Sequence, residues 1–478
     1  MEYPAGPGYS TKNMPIRSIK SQIRTPLLLM AIAELAILFS SVYVAGICVI
    51  GNIAECTRLI GPVAPKATLV AAVSFLSLVA MGLYQFNQRL YFREAVLRIL
   101  VGLGLACLAL AILFYAFPSL LITRDIASLA FGYSLVLMLL VRFVFARTVD
   151  EHVFRRATVV YGAGERAASI TGIRRRADRR GFKVVARVAA LGDTIVGDQD
   201  VLKANGKSIA TIAVEKGADE IVIAMDDRRG NLPIRELLDA RLAGIDVIDL
   251  LEFLERETGK IRVDLVSPGW LIFSPGFRRS QMKEFVKRVM DIVVCGALLL
   301  VSWPVMLIIA LVIKLEDGLS APIFYKQYRV GQNNKNFNVL KFRSMRIDAE
   351  KDGEAVWASE NDSRVTRVGN FLRNSRLDEL PQVFNVIAGQ MSVVGPRPER
   401  PEFVCDLQEN IPYYAERHVV KPGVTGWAQL KYSYGASEED AIEKLQYDLY
   451  YIKNQTLLLD MMIILQTVEV VLWGKGAR

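Results

Sequence analysis

Two carboxylates stand side by side at Asp378 and Glu379, in the run Leu377-Asp378-Glu379-Leu380-Pro381-Gln382, and cations gather near them in the chain. Lys341 and Arg343 belong to Lys-Phe-Arg-Ser-Met, and Arg373 lies one turn upstream of the pair. Arg397 follows in Gly395-Pro396-Arg397-Pro398, and Lys421 opens Lys-Pro-Gly-Val-Thr-Gly-Trp. The central run reads as a loop turning into a helix, because proline is tolerated in a first turn. Carboxylates there gain from the positive end of the helix dipole. One of two adjacent carboxylates can attack as a nucleophile while its neighbour holds a metal or positions substrate. Arginine presents a planar fork to phosphate oxygens, and lysine a point charge. Cations converging on a carboxylate pair between rigid Pro/Gly loops suit pyrophosphate recognition and phosphoryl transfer. The plainer alternative is a helix cap, the common use of an acidic residue at a helix start.

These residues fall in a soluble α/β stretch from Leu315 to about Asn454, so the remaining elements must anchor and present it. In the 478 residues, hydrophobic content is 52% and mean hydropathy +0.29, above the soluble norm. Four segments, Pro26–Ile50, Ala67–Tyr84, Leu97–Phe117 and Ile126–Ala146, reach the roughly 17 to 25 apolar residues that span a bilayer. Lys12, Arg17, Lys20 and Arg24 precede the first, Arg89 and Arg93 lie between the second and third, and Arg147, Arg155 and Arg156 follow the fourth. This positive-inside bias puts the N-terminus, and all that follows the fourth helix, in the cytoplasm. The net charge of +9 is explained by the same membrane-flanking cations, and no nucleic-acid-binding motif accompanies it. The four segments are expected to hold no buried charge pair of the kind a transport or catalytic site uses. Among five cysteines there is no Cys-x-x-Cys, and His152 and His418 stand alone, so neither a zinc site nor a disulfide framework is expected.

From about Ala157 to Leu254, short β-rich runs alternate with amphipathic helices, which predicts a parallel, Rossmann-like sheet. The predicted strands are Ala157–Tyr161, Lys183–Ala189, Glu220–Ala224 and Asp246–Leu250. Gly162-Ala163-Gly164-Glu165-Arg166-Ala167 forms a reduced Gly-x-Gly-x-x-Ala fingerprint between strand and helix, where Gly162 and Gly164 would let a pyrophosphate approach. No acid ends the second strand, and Asp193 comes late, so an inert or regulatory fold competes with a nucleotide site.

The fifth apolar segment, about 289–313, is long enough to cross, yet Lys283, Lys287 and Arg288 precede it and Lys314, Lys326 and Arg329 follow. Both ends therefore favour one side. Pro304 removes a helix hydrogen bond mid-segment, so a broken helix that dips in and returns is expected, with an ordinary span as the alternative.

Taken in order, Lys-Phe-Arg-Ser-Met, Arg-x-x-x-x-Asp-Glu-Leu-Pro-Gln-x-x-Asn-Val, Gly-Pro-Arg-Pro, Lys-Pro-Gly-x-Thr-Gly-Trp-Ala-Gln and Asp448-Leu-Tyr-Tyr-Ile-Lys resemble the bacterial sugar transferase family over about Lys283 to Arg478. These are the monotopic polyprenyl-phosphate phosphoglycosyl transferases. The resemblance implies that Asp378 attacks a UDP-sugar, releases UMP and carries the phosphosugar to polyprenyl phosphate. It further implies Mg2+ near Asp378 and Glu379, and phosphate binding by Lys341, Arg343, Arg373, Arg397 and Lys421. Trp427, Tyr432 and Tyr434 then fit uracil stacking, a headgroup seat or core packing equally. Two departures stand out. Trp303-Pro304 replaces the family's Ser-Pro, with Ser302 one place early, and Gly389-Gln390-Met391-Ser392 replaces Gly-Asp-Met-Ser.

The whole is expected to be a multidomain membrane protein. A tail (1–25) leads into a four-helix transmembrane bundle (26–147), then a Rossmann-like domain (155–258) and a linker (259–282). The C-terminal α/β catalytic domain (283–478) carries the re-entrant helix, and a homodimer is expected. A membrane-anchored NAD-dependent nucleotide-sugar dehydratase or epimerase is the alternative, but no Tyr-x-x-x-Lys pair is present. A non-catalytic assembly scaffold is the third.

Overall fold

The computed structural model describes residues 25–472 apart from 82, 85–91, 149–154, 174–177, 180, 191, 197–200, 203–206, 229–231, 275, 278–279, 319, 347–363, 433–434 and 436. The basic tail, Arg89, His152, Tyr434 and the last residues from Trp473 lie outside this set. The chain divides into two compact units, one of 1–78 with 83–253 and one of 79–82 with 254–478.

In the first unit the long apolar runs form helices, the conformation that satisfies every backbone group internally. They are Thr25–Ile50, Val63–Ala80, Phe92–Ala116 and Arg124–Thr148, close to the expected bounds. With Gln281–Asp317 of the second unit, five helices are long and apolar enough to cross a membrane. The short helix Ile53–Ile60 is an addition; Asn52 caps it by accepting from the Ala54 amide. Small residues such as Ala45 and Ala67 are fully buried with Val42, Val63 and Ile126, which lets the helices pack closely.

One expectation is corrected here. Glu34 is fully buried and accepts from Arg142 Nε at 2.6 Å and Nη2 at 3.1 Å, with the Tyr84 hydroxyl donating to the same carboxylate. The spans do contain a buried charge pair. Local sequence pattern does not reveal it, because its members are 108 residues apart, and a buried charge in an apolar helix stands only when its partner arrives through tertiary packing.

The α/β part carries strands β1 (Arg156–Tyr161), β2 (Phe182–Val188), β3 (Glu220–Ile223) and β4 (Asp246–Asp249), all parallel in the order β2-β1-β3-β4. Val159, Val188, Ile221 and Met225 fill its core. The Gly-x-Gly turn follows β1, but its anion seat holds the chain's own carboxylate. Asp226 accepts from the Glu165 and Arg166 amides at 3.1 and 2.9 Å, and a Cβ on Gly164 would stand 1.8 Å from it. Asp193 accepts from the Ala163 amide at 2.9 Å. Gly162, at φ +138°, passes so near Ala224 that a Cβ would lie 2.3 Å from its carbonyl oxygen.

The second unit is built on the helix Gln281–Asp317, and the break expected at Pro304 is corrected: the proline removes a single backbone hydrogen bond, and the helix continues across it. Its buried positions Asp291, Cys295, Ser302, Met306, Ile309 and Ile313 recur at helical spacing, while Leu300, Val301, Leu307 and Ile308 remain exposed. The buried edge packs on the hairpin of β5 (Phe324–Val330) and β6 (Asn336–Phe342) and on the helices Arg367–Asn374 and Gln382–Ile387. Both helix ends are tied to these elements. Near the start, Arg288 donates to the Val386 and Ile387 carbonyls at 2.6 and 2.7 Å. At the finish, Glu316 caps Arg367–Asn374 by accepting from the Arg367 amide at 3.0 Å, and Asp317 pairs with Arg343 at 2.6 Å.

Two three-residue strands, β7 (Ser392–Val394) and β8 (Gly423–Thr425), pair in parallel. They explain the glycines of two motifs. A Cβ on Gly395 would meet the Lys421 carbonyl at 2.4 Å, and one on Gly423 would meet the Gly395 amide at 2.1 Å. Any side chain at either position would force the two loops apart.

Candidate active site

The carboxylate pair sits on a 3-10 turn, Leu377–Glu379, rather than inside an α-helix, and the helix Gln382–Ile387 begins after Pro381. Arg376 adopts the left-handed conformation (φ 56°) just before it, a position that costs roughly 1 kcal/mol for a residue with a Cβ. Neither carboxylate caps the helix, since no side chain caps its first turn. Glu379 Oε1 instead accepts from Lys341 Nζ at 3.0 Å and Arg397 Nη2 at 3.2 Å. Burial works to raise its carboxyl, but Lys341 and then Arg397 outweigh that and hold it well below the usual carboxylate range.

Asp378 differs. It is buried, 8% exposed, and its carboxylate makes no hydrogen bond among the described residues. Burial pushes its carboxyl up, Glu379 adds to this, and Lys341, Arg373 and Arg397 pull the other way. One carboxylate is thus neutralised and fixed, and its neighbour is left unpaired.

Three of the five cations read as phosphate-binding converge here. Lys341 comes from β6, Arg373 from Arg367–Asn374, where its Nε donates to Ser344 Oγ at 3.0 Å, and Arg397 from the loop after β7. Arg367–Asn374 comes near because residue 369 is glycine; a Cβ there would stand 1.9 Å from the Ser344 carbonyl. Arg343 is buried and paired with Asp317 through Nη2, while its Nε and Nη1 have no hydrogen-bond partner among the described residues. Lys421 belongs to another group. Burial lowers its pKa, Arg288 lowers it further, and Asp291 and Glu284 oppose them. Pro304 lies on the long helix, where Ser302 Oγ meets the Met306 sulfur at 3.9 Å.

Several supporting residues were not singled out from sequence. Asp448, seen only as part of a motif, is buried 2.8 Å from Arg417, whose Nη1 donates to the Tyr414 hydroxyl at 2.6 Å. Arg417 Nη2 donates to the Arg397 carbonyl at 3.1 Å, so Asp448 anchors the Gly-Pro-Arg-Pro loop through it. Burial and Arg417 together push His418 down to about 3, which keeps that imidazole neutral. Among the aromatics, Trp427 is core: its Nε1 donates to the Gly259 carbonyl at 2.8 Å and its ring stacks on Tyr450. The Tyr432 hydroxyl donates to Asp440 at 2.7 Å.

A buried, unpaired carboxylate thus stands beside a neutralised one, with Lys341, Arg373 and Arg397 around them, in a unit built on a long apolar helix. Comparison with known proteins gives the family. Residues 282–474 match the model of the bacterial sugar transferase family. The exopolysaccharide production protein PSS of Rhizobium leguminosarum is 41% identical over 201 residues, 41% of this chain and 100% of its own length. The UDP-N-acetylgalactosamine-undecaprenyl-phosphate N-acetylgalactosaminephosphotransferase of Aeromonas hydrophila is 42% identical over 247 residues, 51% of this chain and 56% of that protein. The UDP-glucose:undecaprenyl-phosphate glucose-1-phosphate transferase of Xanthomonas campestris is 41% identical over 204 residues, 42% of each chain. The chain thus spans about half the length of these last two relatives. It belongs to the bacterial sugar transferase family.

Proposed function

We propose that the protein transfers a sugar 1-phosphate from a UDP-sugar to undecaprenyl phosphate, releasing UMP and forming undecaprenyl-diphosphate-sugar. The observation that carries this is the unpaired, buried Asp378 carboxylate beside a Glu379 held by Lys341 and Arg397, in a member of this family. The names of the relatives supply the substrate classes.

In the first step an Asp378 carboxylate oxygen bonds to the sugar-bearing phosphorus of the UDP-sugar, and the bridging P–O bond breaks with its electrons leaving on UMP. In the second, a phosphate oxygen of undecaprenyl phosphate bonds to that phosphorus, and the aspartyl P–O bond breaks to restore Asp378. Burial favours this role, because a poorly solvated carboxylate is the stronger nucleophile once ionised. Arg373 and Arg397, whose charges act on the Asp378 carboxyl, would offset the charge gathering on the phosphate oxygens, and Lys341 fixes Glu379. The unpaired Asp378 carboxylate also fits Mg2+, which is commonly held by one or two carboxylates together with substrate phosphates. Asp378, with Glu379 beside it, would hold the ion, which when bound neutralises charge on the phosphates.

The same reading places the chain in the bacterial inner membrane with its α/β parts in the cytoplasm and Gln281–Asp317 as a re-entrant element. The ties of both helix ends to one α/β unit, through Arg288 and through Glu316 and Asp317, support that topology. A panel of UDP-sugars incubated with the full-length protein, Mg2+ and undecaprenyl phosphate should release UMP with at least one sugar. Omission of the lipid should leave a phosphosugar on the peptide that contains Asp378. No UMP from any sugar would overturn the assignment.

A further inference from the structure

Strand β6 has one bonded edge, toward β5, in a register that sets Tyr328 opposite Asn338 and Lys326 opposite Leu340. Alternate residues direct their backbone groups to the same side of a strand, so Asn338 and Leu340 share an edge. A side chain occupies it. Asn385, 2% exposed on the helix Gln382–Ile387, accepts from the Leu340 amide at 2.9 Å through Oδ1 and donates to the Asn338 carbonyl at 2.7 Å through Nδ2. Its second Nδ2 hydrogen reaches Gln390 Oε1 at 2.8 Å, so both ends of the amide are engaged. Phe337 and Val339, on one face of the same strand, pack against Val383 and Val386 of that helix. The next residue on that face is Lys341, which reaches Glu379.

We infer that Asn385 is a positioning residue, a clasp that fixes the register of β6 against the helix following the carboxylate pair and so aims Lys341 at Glu379. Side chains alternate along a strand, so a one-residue slip would turn Lys341 to the opposite face. Only a primary amide offers an acceptor to the Leu340 N–H and donors to two oxygens at once; aspartate lacks the donors and leucine lacks both. The role rests on the phosphosugar-transfer reading, in which the charge balance around Asp378 and Glu379 matters. The charged groups facing that pair are Lys341 from β6, Arg373 from Arg367–Asn374, Arg376 from the turn before it and Arg397 from the loop after β7.

The test uses the full-length protein in lipid, with kcat/KM for UMP release as the readout. Asn385→Ala and Asn385→Asp should lose on the order of tenfold to a hundredfold, the scale of a misplaced catalytic group. If Asn385 acts by aiming Lys341, adding Asn385→Ala to Lys341→Met should cost little beyond Lys341→Met alone. Additive losses would reduce Asn385 to a folding role and overturn the inference. Hydrogen exchange of the wild-type protein provides a second measurement, which serves even where a variant fails to fold. The Leu340 amide has Asn385 as its bonded acceptor and should exchange slowly; exchange at the rate of an open amide sinks the clasp. If the wild type released no UMP at all, the functional reading would fail on its own, while Leu340 exchange would still decide for or against the clasp.

Discussion

Replacing Glu379 with glutamine keeps the shape of the side chain and removes its charge, which makes the consequences calculable. The carboxylate accepts one hydrogen bond from Lys341 and one from Arg397, with 19% and 34% of those side chains exposed. A hydrogen bond to a charged group is worth about 1.5–3 kcal/mol. A neutral acceptor keeps roughly half of that. Glutamine therefore forfeits about 1 kcal/mol at Lys341 and, after discounting the more exposed Arg397, about 0.5 kcal/mol there. If the transition state feels this in full, kcat/KM falls roughly tenfold, since about 1.4 kcal/mol corresponds to one decade. The pH profile should move in the helpful direction even so. Glu379 raises the Asp378 carboxyl, whereas Lys341 and Arg397 lower it. Loss of the glutamate charge and release of the two cations both favour ionised Asp378, so the acid limb should shift to lower pH. The assay is UMP release at saturating undecaprenyl phosphate across the acid range, normalised to folded protein. A limb that stays put or moves up, or undiminished turnover, would refute the charge arrangement proposed for the pair.

Asp378→Asn should abolish transfer yet raise the melting temperature at neutral pH. A carboxyl raised on folding weakens the fold as pH climbs through its folded pKa, so this gain should vanish below the unfolded value, about 3.9; a melting temperature lowered at pH 7 would contradict the burial argument. Single cysteines at Lys283 and Lys326, in a cysteine-free background, should both be labelled only from the cytoplasmic side, and labelling from opposite sides would make Gln281–Asp317 a true span. Because Asp226 already takes the Glu165 and Arg166 amides, calorimetry with NAD should detect no binding to the full-length protein; a saturable, stoichiometric signal would show that the carboxylate yields its place.

Much of this architecture is legible in the sequence where a pattern is local. The strands of the parallel sheet lie within a residue or so of their predicted ends, because β-rich runs are short and sharply bounded by turns. The four N-terminal apolar helices follow from uninterrupted hydropathy, whereas Ile53–Ile60 is too short to register that way. At the site, the convergence of Lys341, Arg373 and Arg397 on Glu379 and Asp378 was readable from charge types and motif order. What escaped are groups whose role exists only after folding. Asp226 stands 61 residues from Glu165, whose amide it holds, and Arg417 links Asp448 to the Arg397 carbonyl. Lys421 looked equivalent to the other cations in sequence, yet its loop faces Arg288 and Asp291. Nothing in residue type marks which lysine of a basic set folds toward a given carboxylate.

The long apolar helix does more than hold the protein at a bilayer, and its bonds indicate why the chemistry is built on it. Near its start, Arg288 grips the carbonyl end of Gln382–Ile387, the helix that opens just past Asp378 and Glu379. At its finish, Glu316 caps Arg367–Asn374, which carries Arg373, and Asp317 fixes Arg343. Met306, Ile309 and Ile313 lie between, packed on Phe342 and Leu372, residues adjacent to Arg343 and Arg373. The elements that carry Asp378, Arg343 and Arg373 are thus all tied to one helix. Under the proposed transfer the acceptor is part lipid and part phosphate, and its headgroup would meet Asp378 at a depth set by the membrane. Fastening the site along the membrane helix fixes that depth, because a shift of the helix in the bilayer carries the carboxylate pair and its cations with it.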